Sequence, residues 1–113
     1  MRLARLPRLG MAIVRGRSMT PTLSDGDRLL VRYGADPRAG RLAVVRFSDG
    51  VVAVKRLDHQ ADDGWWVTRD NAFEGRDSWS GGAIVEDDVL ALVVGRLWPR
   101  PGTLAGPPDT VRK

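Results

Sequence analysis

The chain has 113 residues, 42% of them hydrophobic, with a formal net charge of +4. That is one domain, large enough to bury a core and too apolar to stay disordered. The absence of cysteine excludes a disulfide framework and thiolate chemistry, and a lone histidine, His59, leaves neither a histidine-rich metal set nor a Ser-His-Asp triad.

The carboxylate runs Asp62-Asp63 and Glu86-Asp87-Asp88 read as solvated turns, so no metal and no cofactor is expected. The basic excess is scattered from Arg2 to Arg112, with only Arg2, Arg5 and Arg8 close together. No nucleic-acid motif accompanies it, so nucleic acid is not an expected partner. The apolar run Leu9–Val14 is far shorter than the roughly 20 residues of a spanning helix and shorter than the core of a secretory signal. The chain is therefore expected to be soluble and cytoplasmic, with no membrane partner.

In chain order, residues 1–8 form a basic lead-in and Leu9–Val14 a first strand. Arg15 to Leu23 is a loop, because Gly16 and Pro21 both resist regular structure. Ser24-Asp25-Gly26-Asp27 turns the chain into a strand over Arg28–Tyr33. A loop from Gly34 to Gly40, with Pro37 inside it, leads to an apolar strand over Arg41–Phe47. Asp49-Gly50 between two β-rich runs predicts a hairpin to the strand Val51–Asp58. Asp62-Asp63-Gly64 turns the chain again into Trp65–Arg69. A polar loop follows over Asp70–Gly82, then a long apolar strand over Val89–Trp98, and a Pro/Gly-rich loose tail over 99–113. Short strands separated by turn signals predict a mostly β, single compact antiparallel domain over 9–98. One helical turn after Pro21 or near Glu86 is compatible with the pattern.

Of the 18 basic residues, sixteen are arginine and two are lysine, Lys55 and the terminal Lys113. Lys55 is thus the only internal position that departs from the arginine bias. In Val51-Val52-Ala53-Val54-Lys55-Arg56-Leu57, strand alternation puts Lys55 on one face with Val51, Ala53 and Leu57, and Arg56 with Val52 and Val54. An amine on an apolar face is desolvated, which disfavours its charged form. A guanidinium stays protonated in any such setting. A neutral lysine can act as general base; the alternative is a lysine that snorkels from a strand edge into water. Ser18 lies in Gly-Arg-Ser-Met-Thr-Pro-Thr-Leu, an exposed loop where a hydroxyl and nearby backbone N–H groups face outward. A loop serine of this kind either acts as a nucleophile or simply caps a turn.

Ser18-Met19-Thr20-Pro21-Thr22-Leu23, followed by Gly26-Asp27-Arg28-Leu29-Leu30-Val31, resembles the start of the signal peptidase I catalytic domain. Val54-Lys55-Arg56 resembles the lysine motif of that family, and Asp70-Asn71 with Asp77-Ser78 resembles its third box. The motifs occur in family order over residues 14 to 98. The resemblance implies the signal peptidase/LexA-type catalytic fold and a serine endopeptidase. Ser18 would be its nucleophile and backbone oxyanion donor, Lys55 its general base, and a protein or peptide with an N-terminal leader its substrate. Gly16, Met19, Pro21, Asp70, Asn71, Asp77 and Ser78 are the implied substrate-binding or supporting residues.

This sequence departs from the family pattern at three places. Gly16 stands where many members carry a second serine, Gly75 where a serine orients the lysine, and Trp79 where an arginine follows Asp-Ser. Within the family, Gly64-Trp65-Trp66-Val67 and Asp70-Asn71-Ala72-Phe73 look like the nickel-type superoxide dismutase maturation proteases. That subgroup is short and anchor-poor, and it removes a propeptide from the dismutase precursor. For the paired tryptophans the competing reading is plain core packing, the commoner role of such residues. Two alternatives are a LexA-type self-cleaving regulator and a general signal peptidase whose anchor is absent from this chain. The first lacks an Ala-Gly target among the 17 residues before Ser18. A catalytically idle β module that binds partners is a third.

Overall fold

In the computed structural model, residues 8–73 and 77–104 are described. Seven strands form one sheet: β1 (Arg8–Ile13), β2 (Arg28–Tyr33), β3 (Leu42–Arg46), β4 (Val52–Ala61), β5 (Gly64–Thr68), β6 (Val89–Trp98) and β7 (Gly102–Thr103). All neighbouring pairs are antiparallel, in the order β1-β2-β6-β3-β4-β5, with β7 paired to β6. The mostly β, antiparallel architecture expected from the sequence is the one observed.

The predicted hairpin joins β3 to β4. Phe47 N–H donates to Val51 O at 2.8 Å and Gly50 N–H to Phe47 O at 2.8 Å. Gly50 takes φ 90°, a conformation that favours glycine. The sixth strand in sequence, β6, inserts between β2 and β3, so the centre of the sheet is built from long-range pairings.

Two apolar clusters cover the sheet. One gathers Val14, Met19, Leu23, Leu29, Val31, Leu42, Ala91 and Val93. The other gathers Ala43, Val45, Phe47, Leu57, Trp65, Val67, Ile84 and Leu92. Adjacent residues of β3 (Leu42, Ala43) and of β6 (Ala91, Leu92) fall in different clusters, so these central strands are buried on both sides. Strand alternation therefore does not produce an in/out pattern along β4. Lys55, Arg56 and Leu57 are all buried, while Val51, expected on the apolar face of Lys55, is exposed. Only Ala53 and Leu57 keep that apolar company.

Three other expectations change. Gly102–Thr103 of the supposedly loose tail form β7, and Leu104 N–H donates to Val94 O at 3.0 Å. Gly95 makes room for this strand, because a Cβ there would lie 2.7 Å from Gly102 O. The supposed loop Asp70–Gly82 holds a short helix, α1 (Ser78–Gly81). Its N-terminus is capped by Asp77, whose Oδ1 accepts from Trp79 N–H at 3.1 Å. The first strand starts at Arg8, inside the span read as a lead-in, and β4 runs three residues past Asp58. A 3-10 turn at Glu86–Asp88 matches the helical turn allowed near Glu86. Gly75 lies outside the described residues, as do residues 1–7 and the end of the tail. Among the described residues, no helix is long and apolar enough to cross a membrane.

Candidate active site

Lys55 Nζ and Ser18 Oγ stand 2.9 Å apart, although the residues are 37 positions apart in the chain. They are held in different ways. Lys55 lies within β4, where its Cα pairs with Ala43 of β3 and neighbouring residues pair with β5. At 3% exposure the residue is almost fully withdrawn from water. Burial of this degree disfavours the ammonium form.

Ser18 lies in a tight turn with no strand partner. Thr20 N–H donates to Arg17 O at 3.2 Å and Leu23 N–H to Met19 O at 2.8 Å. Met19 and Leu23 are buried and anchor the turn in the first apolar cluster. The remaining constraints come from the segment after β5. Asn71 N–H donates to Ser18 O at 2.8 Å. The Asn71 side-chain Nδ2 donates to Arg17 O at 2.8 Å and to Thr20 Oγ1 at 3.0 Å. One asparagine thus bonds Arg17, Ser18 and Thr20 of this turn.

Asp70 ties the same turn to the lysine strand. Thr22 Oγ1 donates to Asp70 Oδ2 at 2.5 Å. Arg56, next to Lys55, forks onto both carboxylate oxygens through Nε at 2.9 Å and Nη2 at 2.7 Å. The two side chains are 8% and 7% exposed. A buried bidentate pair with further bonds satisfied (Arg56 Nη1 also donates to Gly40 O at 2.8 Å) gives directional placement rather than mere attraction.

The other residues singled out in the sequence divide. Gly16 takes φ 83°, and its N–H donates to Asp25 Oδ1 at 2.7 Å, so that amide is engaged. Pro21 is exposed and follows a cis peptide bond. Asp77 and Ser78 are buried but serve the chain around them. Ser78 Oγ accepts from Val67 N–H at 2.8 Å, and Asp77 Oδ2 lies 3.4 Å from Arg69 Nη1. Arg69 in turn donates to Asn71 O at 2.8 Å and Ala72 O at 3.2 Å, fastening the segment that carries the clamp. Trp65 belongs to the core; Trp66 is half-buried, stacked on His59 and met edge-on by Trp79.

Sequence reasoning assigned no role to Arg56, Thr22 or Arg69. Arg56 carried a usable signal: a charge inside an apolar strand requires a partner. Nothing in the sequence says which of the carboxylates supplies it.

A small cleft of about 110 Å³ opens beside Ser18. Its walls are Ile13, Val14, Met19, Val44, Val52 and Val54, with Ala53 and Arg15. This is far below the roughly 300 Å³ at which a site encloses a whole small molecule, and it suits a side chain of an extended peptide. The Ser18 N–H donates to no acceptor among the described residues. It is a backbone donor next to the Ser18 hydroxyl, the kind of group that stabilises an oxyanion where one develops.

No curated protein matches the chain. The family model described as Peptidase S24-like matches residues 4–79. That span contains the turn of Ser18, the strand of Lys55 and the Asp70–Asn71 clamp, and the chain belongs to the Peptidase S24-like family of serine peptidases, in the signal peptidase/LexA-type superfamily.

Proposed function

We propose that this protein is a Ser/Lys endopeptidase that cleaves a protein precursor near its N-terminus. The observation that carries the reading is the 2.9 Å approach of a buried amine to a part-buried hydroxyl beside an apolar cleft. Neutral Lys55 takes the proton of Ser18 Oγ as that oxygen attacks the scissile carbonyl carbon. The tetrahedral oxyanion receives the Ser18 N–H. The Lys55 ammonium then returns the proton to the leaving amine as the C–N bond breaks. Water, deprotonated by Lys55, attacks the acyl-enzyme and restores Ser18. Asn71, Asp70 and Arg56 touch neither reacting atom in this scheme; they position the turn.

As substrate we infer a nickel-type superoxide dismutase precursor. Support comes from the resemblance of residues 64–73 to the maturation proteases; within that stretch, Asp70 and Asn71 contact the nucleophile turn, whereas Trp65 and Val67 are core. The test incubates the protein with this precursor and locates any cut by mass spectrometry. Loss of the propeptide with wild type and not with Ser18→Ala is the expected result. Cleavage of other peptides with the precursor intact removes the substrate and keeps the peptidase. Unchanged cleavage by Ser18→Ala removes Ser18 from its role.

The family match also favours a second reading, self-cleavage of the LexA type. The intact mass of the purified chain separates the two. Self-cleavage shortens the chain at a rate independent of its concentration, whereas an enzyme acting on another protein stays whole.

A further inference from the structure

We infer that Arg15 selects substrates carrying an acidic side chain close to the scissile bond, an inference that rests on the peptidase reading above. The cleft beside Ser18 is otherwise lined by aliphatic side chains and Met19, and Arg15 is its one charged wall. The guanidinium is exposed and, among the described residues, has no ion-pair or hydrogen-bond partner. Other arginines of the described chain differ. Arg56 forks onto Asp70, Arg69 pairs with Asp77, and Arg96 lies 3.4 Å from Asp27 Oδ2. Asp25, in the adjoining loop, accepts the Gly16 N–H.

Arg15 is also held in place. On one side, Val14 N–H donates to Asp27 O at 2.9 Å, and Val14 O accepts from Gly26 N–H at 2.8 Å. On the other, Gly16 N–H is bonded to Asp25. The backbone between two pinned residues has little freedom, so the side chain projects from a constant point three residues before the nucleophile. A guanidinium is always charged and matches a carboxylate with two parallel N–H donors. An extended peptide advances about 3.4 Å per residue, so an acidic side chain within about three residues of the scissile bond comes within reach.

Both partners remain near water, which limits the effect. An exposed ion pair corresponds to a preference of up to about fivefold at low ionic strength, shrinking as salt screens it. The experiment starts from a randomised decapeptide library and takes as parent a neutral peptide cut by wild type and not by Ser18→Ala. Glu, Gln and Lys versions are then made at each of the three positions on either side of the cut. The readout is the Glu/Gln ratio of kcat/KM within each enzyme. Wild type is expected to give a ratio of about three to five at one or more positions, falling toward one in 0.5 M salt.

Arg15→Gln should bring that ratio to about one, Arg15→Lys should restore part of it, and Arg15→Glu should favour the Lys peptide. A wild-type ratio of one at all positions, or a preference that survives Arg15→Gln, overturns the inference and leaves the peptidase standing. A library in which no peptide is cut overturns the peptidase reading, and this inference with it.

Discussion

The two halves of the site are built on opposite principles. Lys55 is placed by backbone: β4 is laddered to β3 on one side and to β5 on the other, and its register follows from those pairings. Ser18 is placed by side chains: its turn has no ladder and depends on Asn71, Asp70, Met19 and Leu23. A ladder distributes its constraint over many bonds, so loss of one side chain hardly shifts the strand. A clamp concentrates its constraint in a few atoms. Damage to the clamp should therefore disturb chemistry more than the same loss of stability in the ladder.

The largest effects fall on the dyad itself, where both halves meet. Ser18→Ala and Lys55→Met should each lower cleavage by at least about a thousandfold, and the double variant should be no worse than either alone. Lys55→Met removes a buried amine, so its thermal midpoint should stay level or rise. In the wild type, kcat/KM should fall as pH is lowered and Lys55 gains its proton, because the protonated amine accepts nothing from Ser18. A pH–rate profile with no acidic limb would remove Lys55 as base.

Asp70→Ala leaves Arg56 buried without its counter-charge and breaks the link to Thr22. Chemical denaturation should show a loss of about 3–5 kcal/mol, with cleavage impaired even where the variant is folded. The sharpest comparison pairs Leu23→Ala with Leu57→Ala. Both side chains are fully buried, one anchoring the turn of Ser18 and one on the strand of Lys55. Each truncation should cost about 2–5 kcal/mol. Well below the melting transition, only Leu23→Ala should lower kcat/KM, by about tenfold or more. Equal kinetic losses in the two would erase the distinction between ladder and clamp.

Within the clamp the smallest loss of stability comes from Asn71→Ala, which removes three side-chain bonds, two of them to the turn of Ser18, and should cost about 1–2 kcal/mol. Its kcat should drop with KM nearly constant, the mark of a positioning residue.

Much of this organisation was legible along the chain. The hairpin at Asp49-Gly50 follows from a local dipeptide between β-rich runs, and it formed as read. The oddity of one internal lysine among sixteen arginines pointed at Lys55 without any structure. The loose-tail reading did not hold at Gly102–Thr103, because Pro and Gly describe local preference only. Gly102–Thr103 become a strand through pairing with Gly95 and Arg96. The in/out alternation read along β4 failed for a related reason. It assumes one covered face, whereas clusters on both sides bury Lys55, Arg56 and Leu57 together.

The sequence alone determined the kinds of element and the kinds of chemistry: short strands, their turns, a hydroxyl in a loop and an amine among apolar residues. These depend on torsional preference and side-chain type, which act over a few neighbouring residues. Tertiary structure decided the partners. It set β6 between β2 and β3, gave Asp70 to Arg56 and Thr22, and brought Lys55 to Ser18 across 37 positions. Those choices are settled by burial and by the pairing of buried polar groups, and both are properties of the whole packed chain.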